Sequence, residues 1–228
     1  MILQKIHHYI FIIIMIFNHY DFYPYETAIL GNIMKNDWQV IYINGGSSVG
    51  KTTFIRSLQN TLETPWMYVG IDLVITMMPA KYNDWTGKTL TEGFSWKTVK
   101  ETDGNILYQI HMGPIGKDII NLLKKTAVFL LQAGYKIIID DVSFGKQEVD
   151  LWRETLKEYK VIWVGLHAPI EVIEEREKNR GDRMPGSAKL QALQVHTDVS
   201  YDIMLNTHTH TVQENINLLK NYMNIKKN

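Results

Sequence analysis

Residues 39–52 of the chain read QVIYINGGSSVGKT. The first six residues are mostly β-branched or aromatic, which predicts a short buried strand. The next eight fit the pattern G-x-x-x-x-G-K-[ST], and the segment from Lys51 onwards is typical of a helix. A strand, a glycine-rich turn and a helix in this order predict a phosphate-binding loop.

The residue types of this loop match what a nucleoside triphosphate requires. Glycines allow backbone amides to curve around phosphate oxygens, and the following helix directs the positive end of its dipole at the anion. We expect Lys51 to neutralise the β- and γ-phosphates and the Thr52 hydroxyl to join the shell of a Mg²⁺ ion. The loop residues are Gly45, Gly46, Ser47, Ser48, Val49, Gly50, Lys51 and Thr52. The alternative is a Gly/Ser turn beside an unrelated lysine.

Apolar periodicity divides the rest of the chain into alternating strands and helices. Strands are predicted at Gln39–Asn44, Trp66–Ile71, Lys136–Ile139, Val161–Gly165 and Asp202–Asn206. Helices are predicted at Lys51–Leu62, Ile115–Ala133, Gln147–Tyr159, Ile170–Arg180, Ser187–Val195 and Val212–Met223. The alternation predicts βαβ units and a parallel sheet. We expect one three-layer α/β domain over residues 35–228, with a parallel five-stranded sheet in the order 2-3-1-4-5.

Residues 80–112 interrupt this alternation, because they are rich in glycine, threonine and aromatic residues. The aromatic members are Tyr82, Trp85, Phe94, Trp96 and Tyr108. They could line an apolar pocket for a substrate. They could equally be the core of a small helical insertion.

Carboxylates follow two of the predicted strands. Asp72 ends the second strand, and Asp140 with Asp141 ends the third. Ligands of open α/β sheets bind beyond the carboxyl ends of the strands. We expect Asp140 or Asp141 to hold Mg²⁺ and Asp72 to accept a proton from an attacking hydroxyl. The alternative is that these residues cap the next helix or turn.

A basic segment near the carboxyl end could close over a phosphate. Residues 174–189 read EEREKNRGDRMPGSAK. Arg176, Arg180 and Arg183 are candidates for stabilising a phosphoryl group in transfer, and the surrounding glycines and proline would permit a hinged lid. The alternative is a solvated, charged end of a helix.

Composition excludes several classes of function. The formal net charge is zero, with 24 basic and 24 acidic residues, and there are no cysteines. Disulfides and cysteine metal sites are therefore excluded, and nothing favours a nucleic acid or an anionic membrane as partner. The absence of an N-K-x-D tetrapeptide favours ATP over GTP. The oligomeric state stays open.

The first 34 residues carry the apolar run YIFIIIMIF at Tyr9–Phe17. A membrane-spanning helix needs roughly 20 such residues, about twice this length. The run has the length of a signal-peptide core, but no small-residue cleavage site follows it. We expect residues 1–34 to be an N-terminal extension with three possible origins. Translation could start naturally near Met34, so that the preceding residues are an upstream over-read. Otherwise the extension is a peripheral apolar helix, or a signal or anchor. The need for ATP favours a cytoplasmic location.

Several segments together resemble the chloramphenicol phosphotransferases. They are INGGSSVGKTT, PW followed by GID and MMP, IIIDDV, WVG, ERE-KNRGDR and YD-I, which occur in that order between about Val40 and Asn206. The resemblance implies a P-loop kinase with a nucleoside-kinase-like fold that moves the γ-phosphate of ATP to the primary 3-hydroxyl of chloramphenicol. It implies that residues 45–53, now including Thr53, bind the nucleotide. It also implies a catalytic base at Asp72 and lid contacts from the Arg176–Arg183 stretch.

We therefore expect in-line transfer from Mg-ATP to a hydroxyl of a small molecule. Lys51, Mg²⁺, Arg180 and Arg183 would carry the developing charge. The stretch from Lys81 to Lys117 is longer and more aromatic than the resemblance leads us to expect, so the acceptor could instead be a nucleotide-sugar, a nucleoside or a shikimate-like compound. A non-catalytic ATP-binding regulatory module is the alternative from a different class.

Overall fold

The computed structural model describes residues 37–100, 104, 106–181 and 184–226. The strands are β1 Val40–Asn44, β2 Trp66–Gly70, β3 Phe94–Lys100, β4 Ile106–Met112, β5 Lys136–Asp141, β6 Val161–His167 and β7 Ile203–Asn206. The helices are α1 Lys51–Gln59, α2 Ile71–Thr76, α3 Pro114–Gln132, α4 Gly145–Thr155, α5 Ile170–Arg180, α6 Ser187–Gln194 and α7 Val212–Ile225. The expectations for residues 1–34 and for Arg183 lie outside the described residues.

Five strands form a parallel sheet in the order β2-β5-β1-β6-β7. The predicted strands one to five correspond to β1, β2, β5, β6 and β7, so the predicted order 2-3-1-4-5 is confirmed. β1 lies at the centre and pairs with β5 on one side and β6 on the other. All five of its residues are buried, which explains why this strand reads as a continuous apolar run.

Helices cover both faces of the sheet and give the three layers that were predicted. Ile41 and Ile43 of β1 pack with residues of α1 and α7. Val40 and Tyr42 point to the opposite face and pack with residues of α3 and α4. This division follows from the alternation of side chains along a strand. No helix among the described residues has both the length and the hydropathy that crossing a bilayer requires.

Residues 80–112 form an antiparallel hairpin of β3 and β4, preceded by a single 3₁₀ turn at Ala80–Tyr82. The helical alternative for this insertion is therefore wrong. Phe94 and Trp96 alternate with polar residues along β3 and are buried, the former opposite Met112 and the latter opposite Ile110. The spacing of two residues between the buried rings is the strand period, not the helical one.

One predicted boundary near the sheet edge is wrong and another is confirmed. β2 ends at Gly70, so Asp72 does not end a strand but lies in the first turn of α2. The helical dipole favours a carboxylate at this position. The prediction that Asp140 and Asp141 end the third strand is confirmed, because β5 runs from Lys136 to Asp141.

Candidate active site

The phosphate-binding loop connects β1 to α1 and takes two left-handed backbone conformations. Ser48 has φ 60° and Gly50, which precedes the first residue of α1, has φ 101°. A side chain at Gly45 would place its Cβ 2.9 Å from the carbonyl oxygen of Leu166. A glycine is therefore required at position 45 by close packing against β6, and at position 50 by the turn into the helix.

The side chain of Lys51 folds back across the loop. Its Nζ donates hydrogen bonds to the carbonyl oxygens of Gly45 at 2.6 Å and Gly46 at 3.1 Å. The same nitrogen lies 3.8 Å from Oδ1 of Asp140. Thr52 and Thr53 follow on α1 and line the same cavity. The loop, the ammonium group and one carboxylate are thus brought together at the carboxyl edge of the sheet.

Asp140 and Asp141 have different surroundings although they are adjacent. Oδ2 of Asp141 accepts a hydrogen bond of 2.6 Å from the Tyr42 hydroxyl and another from the Ser143 hydroxyl. Asp140 accepts a hydrogen bond of 3.2 Å from the Tyr68 hydroxyl and faces Lys51. Burial raises the pKa of Asp140, and the charge of Lys51 opposes this shift. Asp140 is therefore the carboxylate better placed for a cation at the loop.

The described residues contain no group of three or more His, Asp or Glu side chains that could hold a metal ion unaided. Mg²⁺ commonly binds to one or two carboxylates together with substrate phosphates and water. The carboxylate of Asp140 and the hydroxyl of Thr52 supply oxygen ligands of the kind that this ion prefers. The residues present therefore fit Mg²⁺ that arrives with a nucleotide.

Asp72 lines the same cavity. Its side chain is exposed. The negative charge of Asp72 raises the pKa of Asp140 further, and only burial and the charge of Lys51 have a larger effect on that pKa. The two carboxylates are close enough to interact, and they approach the loop from α2 and from β5.

The cavity has a volume of about 760 Å³ and joins a polar end to an apolar one. The polar end is the phosphate loop with Asp72 and Asp140. The apolar lining comes mainly from α2, the β3–β4 hairpin and α4. It consists of Ile71, Ile75, Trp85, Phe94, Trp96, Ile110, Met112, Ile120, Leu151 and Trp152. The helices α3 and α4 also contribute polar lining residues, which are Lys117, Asn121, Lys124 and Glu148. Of the two interpretations of the aromatic insertion, the structure therefore favours the pocket.

The aromatic rings of the hairpin are packed against one another. Trp85 stacks on Phe94 with ring centroids 6.2 Å apart and meets the edge of Trp96 at 5.9 Å. Trp85 is partly exposed, whereas the other two rings are buried. The exposed part of a supported ring is a surface on which a flat apolar ligand can pack.

The basic segment divides into a fixed part and an exposed part. Arg176 donates hydrogen bonds to the carbonyl oxygen of Val49 at 3.3 Å and to the hydroxyl and carbonyl of Thr207 at 3.1 and 2.8 Å. It therefore braces the phosphate loop against the end of β7. Arg180, at the end of α5, is exposed and lines the cavity. Its role in a lid stays a prediction.

Sequence reasoning missed two buried residues beside this segment. Glu177 accepts hydrogen bonds from the amide of Gly186 at 2.7 Å, the hydroxyl of Ser187 at 2.8 Å and the amide of Ala188 at 2.8 Å. It thereby caps α6. Oε1 of Gln191 accepts a hydrogen bond of 2.8 Å from the amide of Ser47 in the phosphate loop. The contact of Gln191 joins residues 144 positions apart, and no local motif indicates either contact.

Comparison with known proteins adds three findings. A family model described as chloramphenicol phosphotransferase-like protein matches residues 38–224. Two curated proteins of Mycobacterium tuberculosis, from strains CDC 1551 and H37Rv and each named "Putative O-phosphotransferase", are 31% identical over 176 residues, which is 77% of this chain and 78% of the relative.

Solved structures of kinases share the fold. A sugar kinase from Janibacter sp. HTCC2649 aligns with TM-score 0.57 and 20% identity over 82% of this chain and 95% of its own. A gluconokinase from Sinorhizobium meliloti 1021 aligns with TM-score 0.55 and 13% identity over 85% of this chain and 95% of its own. At these identities the likeness establishes the fold alone, and the predicted fold class is confirmed.

Proposed function

Because the chain belongs to the chloramphenicol phosphotransferase-like family, we propose that it transfers the γ-phosphate of ATP to a hydroxyl group of a small molecule. The observation that carries the proposal is the composition of one cavity. Lys51 and the phosphate loop lie at its polar end, flanked by Asp72 and Asp140, and an apolar compartment adjoins them. A nucleotide's terminal phosphates and an acceptor can therefore meet in the same cavity.

The polar end has the groups that phosphoryl transfer requires. Transfer needs positioning of the reactants and stabilisation of the charge on the moving group. Lys51 supplies a buried cation at the loop, and Arg180 supplies an exposed cation at the rim. Thr52 and Asp140 would hold Mg²⁺, which when bound neutralises part of the phosphate charge. Asp141, whose Oδ2 already accepts two hydrogen bonds, is the weaker candidate for that ligand.

Asp72 is proposed as the general base. The acceptor hydroxyl gives its proton to the carboxylate of Asp72 while its oxygen forms a bond to the γ-phosphorus. The bond from that phosphorus to the oxygen bridging the β- and γ-phosphates breaks, and ADP leaves with the electron pair. The exposed carboxylate at the cavity wall can reach an acceptor without moving the phosphate loop.

The acceptor is proposed to have an apolar, ring-containing body. Much of the cavity lining outside the loop is apolar, although Lys117, Asn121, Lys124 and Glu148 also belong to it, and Trp85 is supported there by Phe94 and Trp96. Ligand pockets of this kind use apolar walls for affinity and a few polar groups for orientation. The family description makes chloramphenicol the first acceptor to test. A nucleoside, a nucleotide-sugar or a shikimate-like compound exposes more polar surface and fits this wall less well.

The proposal is tested by binding and turnover together. Calorimetry with Mg²⁺ should detect ATP binding by the full chain. Incubation with ATP and a panel of chloramphenicol, nucleosides, nucleotide-sugars and shikimate should yield a phosphorylated product detectable by mass spectrometry. Lys51→Ala should abolish turnover. Asp72→Asn should preserve ATP binding and lower turnover by roughly 10²-fold or more, the contribution typical of a general base.

The matched control is Asp118→Asn, which changes an exposed carboxylate of α3 outside the described cavity lining. This variant should retain wild-type activity. Failure of the wild-type chain to bind ATP would refute the proposal. ATP binding without any product from the panel, and without an effect of Asp72→Asn on binding, would favour the non-catalytic regulatory module.

A further inference from the structure

A single peptide group of the phosphate loop is held at both ends. The carbonyl oxygen of Gly46 accepts a hydrogen bond of 3.1 Å from Lys51 Nζ. The amide of the same peptide, which belongs to Ser47, donates a hydrogen bond of 2.8 Å to Oε1 of Gln191. Because a peptide group is planar, its two ends cannot rotate independently. A rotation that breaks the bond to Gln191 also turns the carbonyl away from the lysine.

Gln191 is fixed in this position by its surroundings. Its side chain is 4% exposed and borders the cavity. The backbone of α6 lies so close to the loop that a Cβ on Gly46 would be 3.2 Å from the amide nitrogen of Ala192. Glu177 in turn holds the first turn of α6 through three hydrogen bonds. The amide side chain therefore extends from an anchored helix onto the loop.

The orientation of the Gln191 amide follows from the hydrogen bond. The backbone amide of Ser47 is a donor, so it must face the side-chain oxygen and not the NH₂ group. Gln191 therefore acts as an acceptor toward the loop, and a side chain without an acceptor at this position would leave the Ser47 amide without its partner. The Ser47 amide is partly buried, and the loss of its acceptor is unfavourable and promotes rearrangement of the loop.

We propose that Gln191 is a positioning residue that acts through Lys51. It fixes the Gly46–Ser47 peptide, and that peptide in turn holds the ammonium group at the mouth of the loop, where the terminal phosphates would bind. The inference rests on the proposed function, because it assigns Gln191 to the same phosphotransfer site. It adds a residue of α6 to a site otherwise attributed to the loop, the strand ends and the arginines.

The test uses Gln191→Met, which keeps an unbranched side chain of similar length and removes the oxygen acceptor. We expect up to about tenfold weaker binding of ATP in the presence of Mg²⁺, the loss typical of one hydrogen bond. Binding of AMP should be unchanged, because AMP lacks the phosphates that Lys51 would contact. The control is Gln194→Met, one turn later on α6 and outside the described cavity lining, for which both affinities should equal those of the wild type.

A double-mutant cycle separates positioning from general support of the loop. In a Lys51→Met background, Gln191→Met should cause little further loss of ATP affinity, because residues that act through one another are not additive. The same fold-loss in both backgrounds, or equal losses for ATP and AMP, would overturn the inference. If the wild-type chain binds no ATP, the proposed function itself fails. If the wild type binds ATP and Gln191→Met binds it equally well, only the inference about Gln191 fails.

Discussion

Removal of the Glu177 carboxylate is expected to destabilise the protein through the cap of α6. In Glu177→Ala, three donors lose their acceptor: the amides of Gly186 and Ala188 and the hydroxyl of Ser187. Ser187 and Ala188 are buried, so water does not readily replace the carboxylate there. At about 1–3 kcal/mol for each unsatisfied buried donor, these two groups predict a loss of about 2–6 kcal/mol in the free energy of unfolding.

Urea denaturation followed by tryptophan fluorescence measures this loss. The control is Glu175→Ala, which removes an exposed carboxylate from α5, the helix that also carries Glu177. This variant should change the free energy of unfolding by less than about 0.5 kcal/mol. Hydrogen exchange should accelerate at the amides of Gly186 and Ala188 in Glu177→Ala but not in the control. A Glu177→Ala variant within about 1 kcal/mol of the wild type would refute the view that this carboxylate secures α6.

Two further predictions concern the cavity. Burial raises the pKa of Asp140, so the ionised carboxylate destabilises the folded state as the pH rises through the folded pKa. Asp140→Asn should therefore be more stable than the wild type at pH 7 and equally stable below the unfolded pKa. The variant should also bind Mg-ATP more weakly. Thermal melts across pH with calorimetry check both effects, and lower stability of the variant at pH 7 would contradict the argument. Trp85→Ala should leave ATP affinity unchanged and raise the KM of an aromatic acceptor about two- to tenfold, because ring contacts contribute about 0.5–1.5 kcal/mol. Steady-state kinetics with the acceptor found in the panel measures this effect. An unchanged KM would exclude Trp85 from the acceptor site.

The elements around the sheet were predictable because their signals are local. A strand buried on both faces reads as an unbroken apolar run, and a helix shows the 3.6-residue period. These patterns predicted the five parallel strands, and the structure confirms them together with the expected order. The glycine-rich loop after β1 was predictable because its motif lies in consecutive residues, although Gly45 packs closely against Leu166, which is far away along the chain.

The position of Asp72 shows where local signals were insufficient. The run from Trp66 to Ile71 favours a strand throughout, but the strand ends at Gly70 and a helix of six residues begins at once. A helix this short shows no clear periodicity. The aromatic insertion was equally ambiguous, and cross-strand pairing of Phe94 with Met112 and Trp96 with Ile110 made it a hairpin.

The sequence by itself determined the type of loop, the alternation of strands and helices, and the set of carboxylates and arginines available for chemistry. Only the tertiary structure decided which member of each set reaches the loop. Adjacent strand residues point to opposite faces, so packing directs Asp140 toward Lys51 and Asp141 toward Tyr42. Gln191 is 144 residues away from its partner Ser47, and contacts over such distances depend on how helices pack on the sheet, which no local pattern specifies.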